Sequence, residues 1–177
     1  MPKPYNHFSR EEFSQRQQKT RKHLQKLKLD GLLLFKIEDM YWLTGYESDG
    51  FCIFGSMFIG TEGALTHLAR PADLGNLSYS SICEDVRISP DTEDSTRAEH
   101  IKDMLRSLGM EGKKIGIQVD TMGLTPRLFL EISAILDGWC ELTVAPDFIR
   151  ILRLVKSPQE LNYFRKAGEV MDIVMNK

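Results

Sequence analysis

The apolar positions along this chain switch between a helical and a strand period, and the switches mark its elements. Residues 9–28 read as a helix. Ser9 is a good N-cap, Glu12 completes a capping box, and Phe8 and Phe13 stand at the spacing of a hydrophobic staple. Phe13, Thr20, Leu24 and Leu27 share one face, with Arg, Lys and Gln on the other. Asp30-Gly31 stops the helix and opens a buried strand over 31–35. Residues 37–43 form a short helix ended by Gly45. The apolar runs 51–59 and 64–68, joined by Gly60-Thr61-Glu62-Gly63, predict a hairpin.

A short helix over 72–80 and a weak strand around Val86 and Ile88 follow. Residues 84–99 carry six acidic and two basic side chains, an exposed loop leading into a helix over 96–108. Ala98, Ile101, Leu105 and Leu108 line that helix, and Gly109 closes it. Residues 114–119 alternate as a strand. Thr125-Pro126 opens a helix that ends at Gly138, and 139–144 is one more strand. Residues 147–155 read as a short apolar and basic helix or turn. Ser157-Pro158-Gln159-Glu160 is a second capping box. The helix it opens aligns Leu161, Phe164 and Met171, and it is still in phase at Lys177. Such a stripe needs something to pack on. Strands alternating with helices after one early hairpin predict an α/β fold, a mixed central sheet with helices on both faces.

Composition narrows the chemistry. The 177 residues suit one ordinary domain, and 42% are hydrophobic. With 23 basic and 25 acidic residues, bulk charge implies no polyanionic partner. Residues 1–30 carry eight basic and three acidic side chains, but no interleaved aromatics for stacking bases, so a solvated helix back is expected rather than a nucleic-acid surface. No apolar run approaches membrane-spanning length, and the N-terminus has no secretory apolar core, so no membrane association is expected. Cys52, Cys83 and Cys140 are widely spaced and form no CxxC, which argues against a disulfide framework or zinc knuckle and for the cytoplasm. His7, His23, His67 and His100 are scattered, with no HxH or HExxH, and no GxSxG, P-loop or GxGxxG occurs. Spacing alone assembles no self-sufficient active site.

Two segments go further. Gly31-Leu-Leu-Leu-Phe35 leads to Met40-Tyr-Trp-Leu-Thr-Gly-Tyr46, and Arg153-Leu-Val-Lys-Ser-Pro-Gln-Glu-Leu161 continues to Arg165-Lys-Ala167. Together they resemble the N-terminal domain of the creatinase, prolidase and aminopeptidase P family, with its "NxxYLTG" and "RxxKSPxEL" motifs. The resemblance implies a creatinase N-terminal-like fold with a ribonuclease H-like motif over residues 1–155. Residues 156–177 would then begin a linker helix toward an absent C-terminal catalytic domain. That domain, of the pita-bread fold, would bind two divalent metals (Mn, Zn or Co) through two Asp, one His and two Glu. This chain itself would hold no cofactor and be inactive.

The resemblance also implies a homodimer acting on a small peptide or amide substrate. The partner's N-terminal domain would lend an aromatic residue and an arginine to hold the substrate carboxylate, a task suited to a planar guanidinium. Phe51 or Phe54 and Arg70 are the candidates, with His67, Tyr46 and Asp49 nearby in sequence. The competing reading makes the two phenylalanines sheet core and Arg70 a cap. Residues 69–73 do not match the aspartate-arginine-tyrosine sequence common in peptidase members, which leaves peptidase against other C–N hydrolase open. A stand-alone peptide- or protein-binding module of the same fold is the alternative function.

Overall fold

The computed structural model describes residues 5–50 and 52–176. Helix α1 (Arg10–Lys26) leads into β1 (Gly31–Leu34), α2 (Ile37–Thr44), β2 (Ser56–Gly60) and β3 (Thr66–Ala69). A 3₁₀ turn (Pro71–Asp73), α3 (Leu74–Ser80), β4 (Asp85–Ile88), α4 (Arg97–Ser107) and β5 (Lys114–Ile117) follow. The chain closes with α5 (Pro126–Leu136), β6 (Glu141–Val144), α6 (Phe148–Arg153) and α7 (Pro158–Met175).

The strands form one six-stranded sheet in the order β4-β3-β2-β1-β5-β6. Only β2 runs against its neighbours, so β1, β3, β4, β5 and β6 all point the same way. The two-residue period divides the core. Leu32, Leu34, Met57 and Ile59 face α1, α2, α3 and α6, where Leu24, Leu43, Leu77 and Phe148 meet them. Leu33, Phe58, Ile115 and Ile117 face α4 and α5, where Ile101, Leu105 and Ile132 meet them. Helices thus cover both faces of a mixed sheet, as the alternation of elements predicts.

The differences are local. The first apolar run becomes a strand only at Ser56; residues 52–55 are turn and coil that carry Phe54 into the core from the loop. Leu27 is 47% exposed. It caps α1, and Lys28 at φ 56 reverses the chain so that Leu29 takes the buried place. The staple forms, with Phe8 and Phe13 rings 6.2 Å apart, and Ser9 Oγ accepts the Glu12 N–H. Glu12, however, turns its carboxylate to Arg16 rather than back to Ser9. The basic side of α1 is partly structural: Lys19 donates to Leu152 O, and Arg21 donates to Gly60 O and Gly63 O of the hairpin. A turn that must be left-handed follows α2, where Gly45 has φ 77 and a Cβ would stand 2.3 Å from Asn6 Oδ1.

Candidate functional site

Because five strands share one direction, the carboxyl ends of β1 and β3 lie on the same edge as the loop before β2. In sheets of this kind that edge is where clefts form. Phe35, Met40, Tyr46, Phe54, Arg70 and Asp73 wall a cavity there of about 20 Å³, room for one water. Arg70 caps the 3₁₀ turn after β3, and its guanidinium grips Asp73 twice, Nε to Oδ2 at 3.0 Å and an Nη to Oδ1 at 2.8 Å. That pairing holds Arg70 firmly cationic. Its fork is therefore aimed and partly used, leaving the second terminal nitrogen for anything that enters. Phe54 is buried, and the Arg97 guanidinium lies 4.8 Å above its ring.

The sequence-derived candidates thus separate. Phe54 and Arg70 share the cavity wall. His67 does not reach it: it is 1% exposed, beneath Tyr46, whose ring is 4.7 Å away and edge-on. Burial pushes the His67 pKa down to about 4 against a small opposing pull from Asp73, so the ring is neutral, and its Nδ1 has no hydrogen-bond partner among the described residues. Phe51 lies outside the described residues. Asp73 and Arg97 were not singled out from sequence. The Arg70-x-x-Asp73 spacing was a signal for the first; the Arg97 stack depends on loop geometry and left none.

The two sequence motifs meet in space. Asp39 of α2 is fully buried and accepts from Gln118 Nε2 and Arg153 Nη1, both at 2.6 Å. Burial raises its pKa, while Gln118 and Arg153 pull it back. The Gln118 carbonyl accepts the N–H groups of Phe35 and Lys36, at the start of α2. Beside this, Glu160 uses one oxygen to complete the Ser157 capping box and the other to accept from Trp42 Nε1 (3.0 Å) and Arg16 (3.1 Å). Arg16 is 3% exposed, bonds Glu12 and the Trp42 carbonyl as well, and stacks 4.0 Å over Phe8. Desolvation lowers its pKa, and the two glutamates oppose that loss. The motif of α2 and the motif at the head of α7 are two halves of one polar lock.

A dinuclear metal pair does not fit these residues. Among the described residues no three His, Cys, Asp or Glu side chains gather to hold an ion. The histidines are occupied separately: His7 pairs with Glu47 at 3.0 Å, His23 packs edge-on to Phe148, and His100 sits between the hydroxyls of Ser89 and Ser95. No described helix is long and apolar enough to cross a membrane.

Comparison with known proteins agrees with this architecture. The chain is 24% identical to an uncharacterised hydrolase/peptidase of Sinorhizobium fredii, over 97% of the chain and 45% of that protein. It is 25% identical to the ectoine hydrolase of Halomonas elongata, over 93% of the chain and 43% of the enzyme. The chain spans less than half the length of these relatives. Its fold superposes on an Xaa-Pro dipeptidase of Bacillus anthracis with a TM-score of 0.76 at 15% identity, covering 93% of this chain and 42% of that one. A prolidase of Thermococcus sibiricus gives 0.75 at 23% identity, covering 93% and 43%. The N-terminal domain of a peptidase from Mycobacterium tuberculosis gives 0.60 at 16% identity, covering 78% of this chain and 98% of that domain. The creatinase/prolidase N-terminal domain model matches residues 16–155, from the buried Arg16 to the turn before Ser157, and the chain belongs to that family.

Proposed function

We propose that this chain is the N-terminal, non-catalytic domain of a metal-dependent hydrolase that cuts Xaa-Pro peptides or a related C–N bond. The wall formed by Phe54 and Arg70 belongs to the rim of its substrate cleft. The polar lock carries this reading. Asp39–Arg153 and the Glu160 contacts fix the direction in which α7 leaves the sheet, yet α7 has no buried residue. Phe164, Val170, Met171 and Val174 are each more than half exposed. A helix with such a face draws its stability from a body it packs against. The relatives, of which this chain spans 45% and 43%, are long enough to supply one. The metal ligands belong to that body, and the stand-alone binding module is the reading it displaces.

The test compares two proteins. The 177-residue chain, with added Mn²⁺, Zn²⁺ or Co²⁺, should hydrolyse neither Xaa-Pro dipeptides nor ectoine. A full-length protein carrying it should hydrolyse at least one. Arg70→Ala in that protein should lower kcat/KM by roughly tenfold, the worth of one charged hydrogen bond. Metal-dependent turnover by the chain alone overturns the non-catalytic reading. Unchanged kinetics in the full-length Arg70→Ala variant remove the cavity wall from the cleft.

A further inference from the structure

Away from the sheet edge, the head of α1, the outer side of α2 and the first turns of α7 enclose an open-mouthed pocket of about 310 Å³. Phe8, Tyr41, Trp42, Tyr163 and Phe164 supply its apolar wall. Their rings are angled: Phe8 meets Tyr163 at 5.3 Å and Tyr41 at 6.4 Å, both edge-on. The exposed stripe of Val170, Met171 and Val174 lies farther along α7 and lines none of it.

The polar atoms of the wall divide by sign. Its one carboxylate, Glu160, is engaged at both oxygens, by the Ser157 N–H on one and by Trp42 Nε1 and Arg16 on the other. Arg16 is engaged at all three nitrogens. Arg153 uses only Nη1, on Asp39. Lys156 touches only the Arg153 carbonyl, with its ammonium 5.8 Å from the centre of the Phe164 ring. Among the described residues, Arg153 Nε and Nη2, the other Lys156 protons and the Tyr41 hydroxyl have no partner. Nε and Nη2 are the parallel pair of a guanidinium, the side that takes a carboxylate by two bonds. Tyr41 and Arg153 also border a neighbouring hollow, but its acids, Glu38, Glu47 and Asp49, do not line this pocket.

We propose that this pocket binds a small organic anion, a carboxylate held by Arg153 and Lys156 on a flat apolar body that packs among the rings. The acceptors of the wall are already engaged and its free groups are donors, two of them cationic, so the pocket is complementary to negative charge. Its size and its mostly apolar wall with a few convergent polar groups are those of a small-molecule site, which spans about 300–1,000 Å³. The inference goes beyond the hydrolase reading and does not depend on it.

Calorimetric titration of the 177-residue chain with 1-naphthoate tests it, with neutral 1-naphthamide as the control. Naphthoate should bind with a Kd of roughly 0.1–1 mM, what a ligand of its size can reach. Naphthamide should bind about tenfold more weakly or worse. The chain has two tryptophans, and in nitrogen–proton correlation spectra the Trp42 indole signal should move with naphthoate while that of Trp139 stays. Lys156→Met removes one charged contact and should weaken binding about tenfold. Ala167→Trp places a ring in the pocket from an exposed position and should abolish binding, with the fold intact by circular dichroism. Val170→Asp, on the stripe outside the pocket, should leave Kd unchanged. No binding, equal affinity for naphthamide, a shift at Trp139 in place of Trp42, or binding that survives Ala167→Trp overturns the proposal. So does loss of binding in Val170→Asp, which would mark a general apolar face. A full-length protein carrying this chain should bind naphthoate as the chain does; loss of binding there assigns the pocket to the body packed on α7 and overturns the proposal as well.

Discussion

Replacing Glu160 by alanine should destabilise the domain by about 3 kcal/mol, although the residue lies in a helix with no buried position. Three losses combine. The Ser157 N–H loses its carboxylate partner at 2.8 Å, and half of a capping box is worth about 0.5 kcal/mol. The indole N–H of Trp42, a residue 6% exposed, loses its acceptor, which costs about 1–2 kcal/mol. Arg16 keeps Glu12 and the Trp42 carbonyl but loses the second of its two carboxylates, for about 1 kcal/mol more. Urea unfolding followed by tryptophan fluorescence and circular dichroism measures the change. In thermal melts it should lower Tm by about 6–12 °C for a domain of this size. Glu160→Gln keeps an acceptor for Trp42 and removes the charge, so about 1 kcal/mol is expected. An alanine variant within about 0.5 kcal/mol of the parent refutes the lock as a source of stability.

Three further outcomes follow from burial and backbone geometry. His67 has a folded pKa of about 4, below its unfolded value, so its contribution is fully present above about pH 6.5 and is lost as pH falls through 4. The parent should lose about 3 kcal/mol more than His67→Leu between pH 7 and pH 4 in urea titrations, and parallel curves would refute this. Exposed Cys52 should react with an aromatic disulfide at pH 8 well before the other two thiols. Cys83 is pushed up to about 12 by burial and Asp85, and Cys140 is raised by burial; mass mapping of Cys83 as the fast site would contradict that. Gly45→Ala forces a Cβ onto a left-handed residue and against Asn6 and Ser80, so a loss of about 2 kcal/mol or more in the same assay is expected.

Elements whose cause is local were legible in the sequence. The caps at Ser9, Thr125 and Ser157, the stop at Gly45 and the alternation of Ile115 and Ile117 all act within a few residues, and the structure keeps them. The capping box of Thr96 and Glu99 is equally local, but it lies inside an acidic run in which Glu99 reads as charge alone. Arg16 was hidden differently: it lies on the buried row of α1 with Glu12, Thr20 and Leu24, where its residue type points to solvent, and the groups that satisfy it there arrive from α2 and α7. The same limit applied at the cavity. Residue type marked Phe54 and Arg70, but the depth of His67 and the stack of Arg97 on Phe54 depend on which loops cross the sheet edge.

The lock also orders events in time. Its bonds Arg16–Glu160, Trp42–Glu160 and Asp39–Arg153 close loops of 144, 118 and 114 residues. During synthesis at about 5–20 residues per second, Trp42 waits roughly 6–24 s for its acceptor. Until then the Trp42 indole lacks its acceptor, Arg16 has one of its two carboxylates, and Asp39 has Gln118 without Arg153. The head of α7 is therefore a late arrival in translation, and the lock can close only after the ribosome has delivered it.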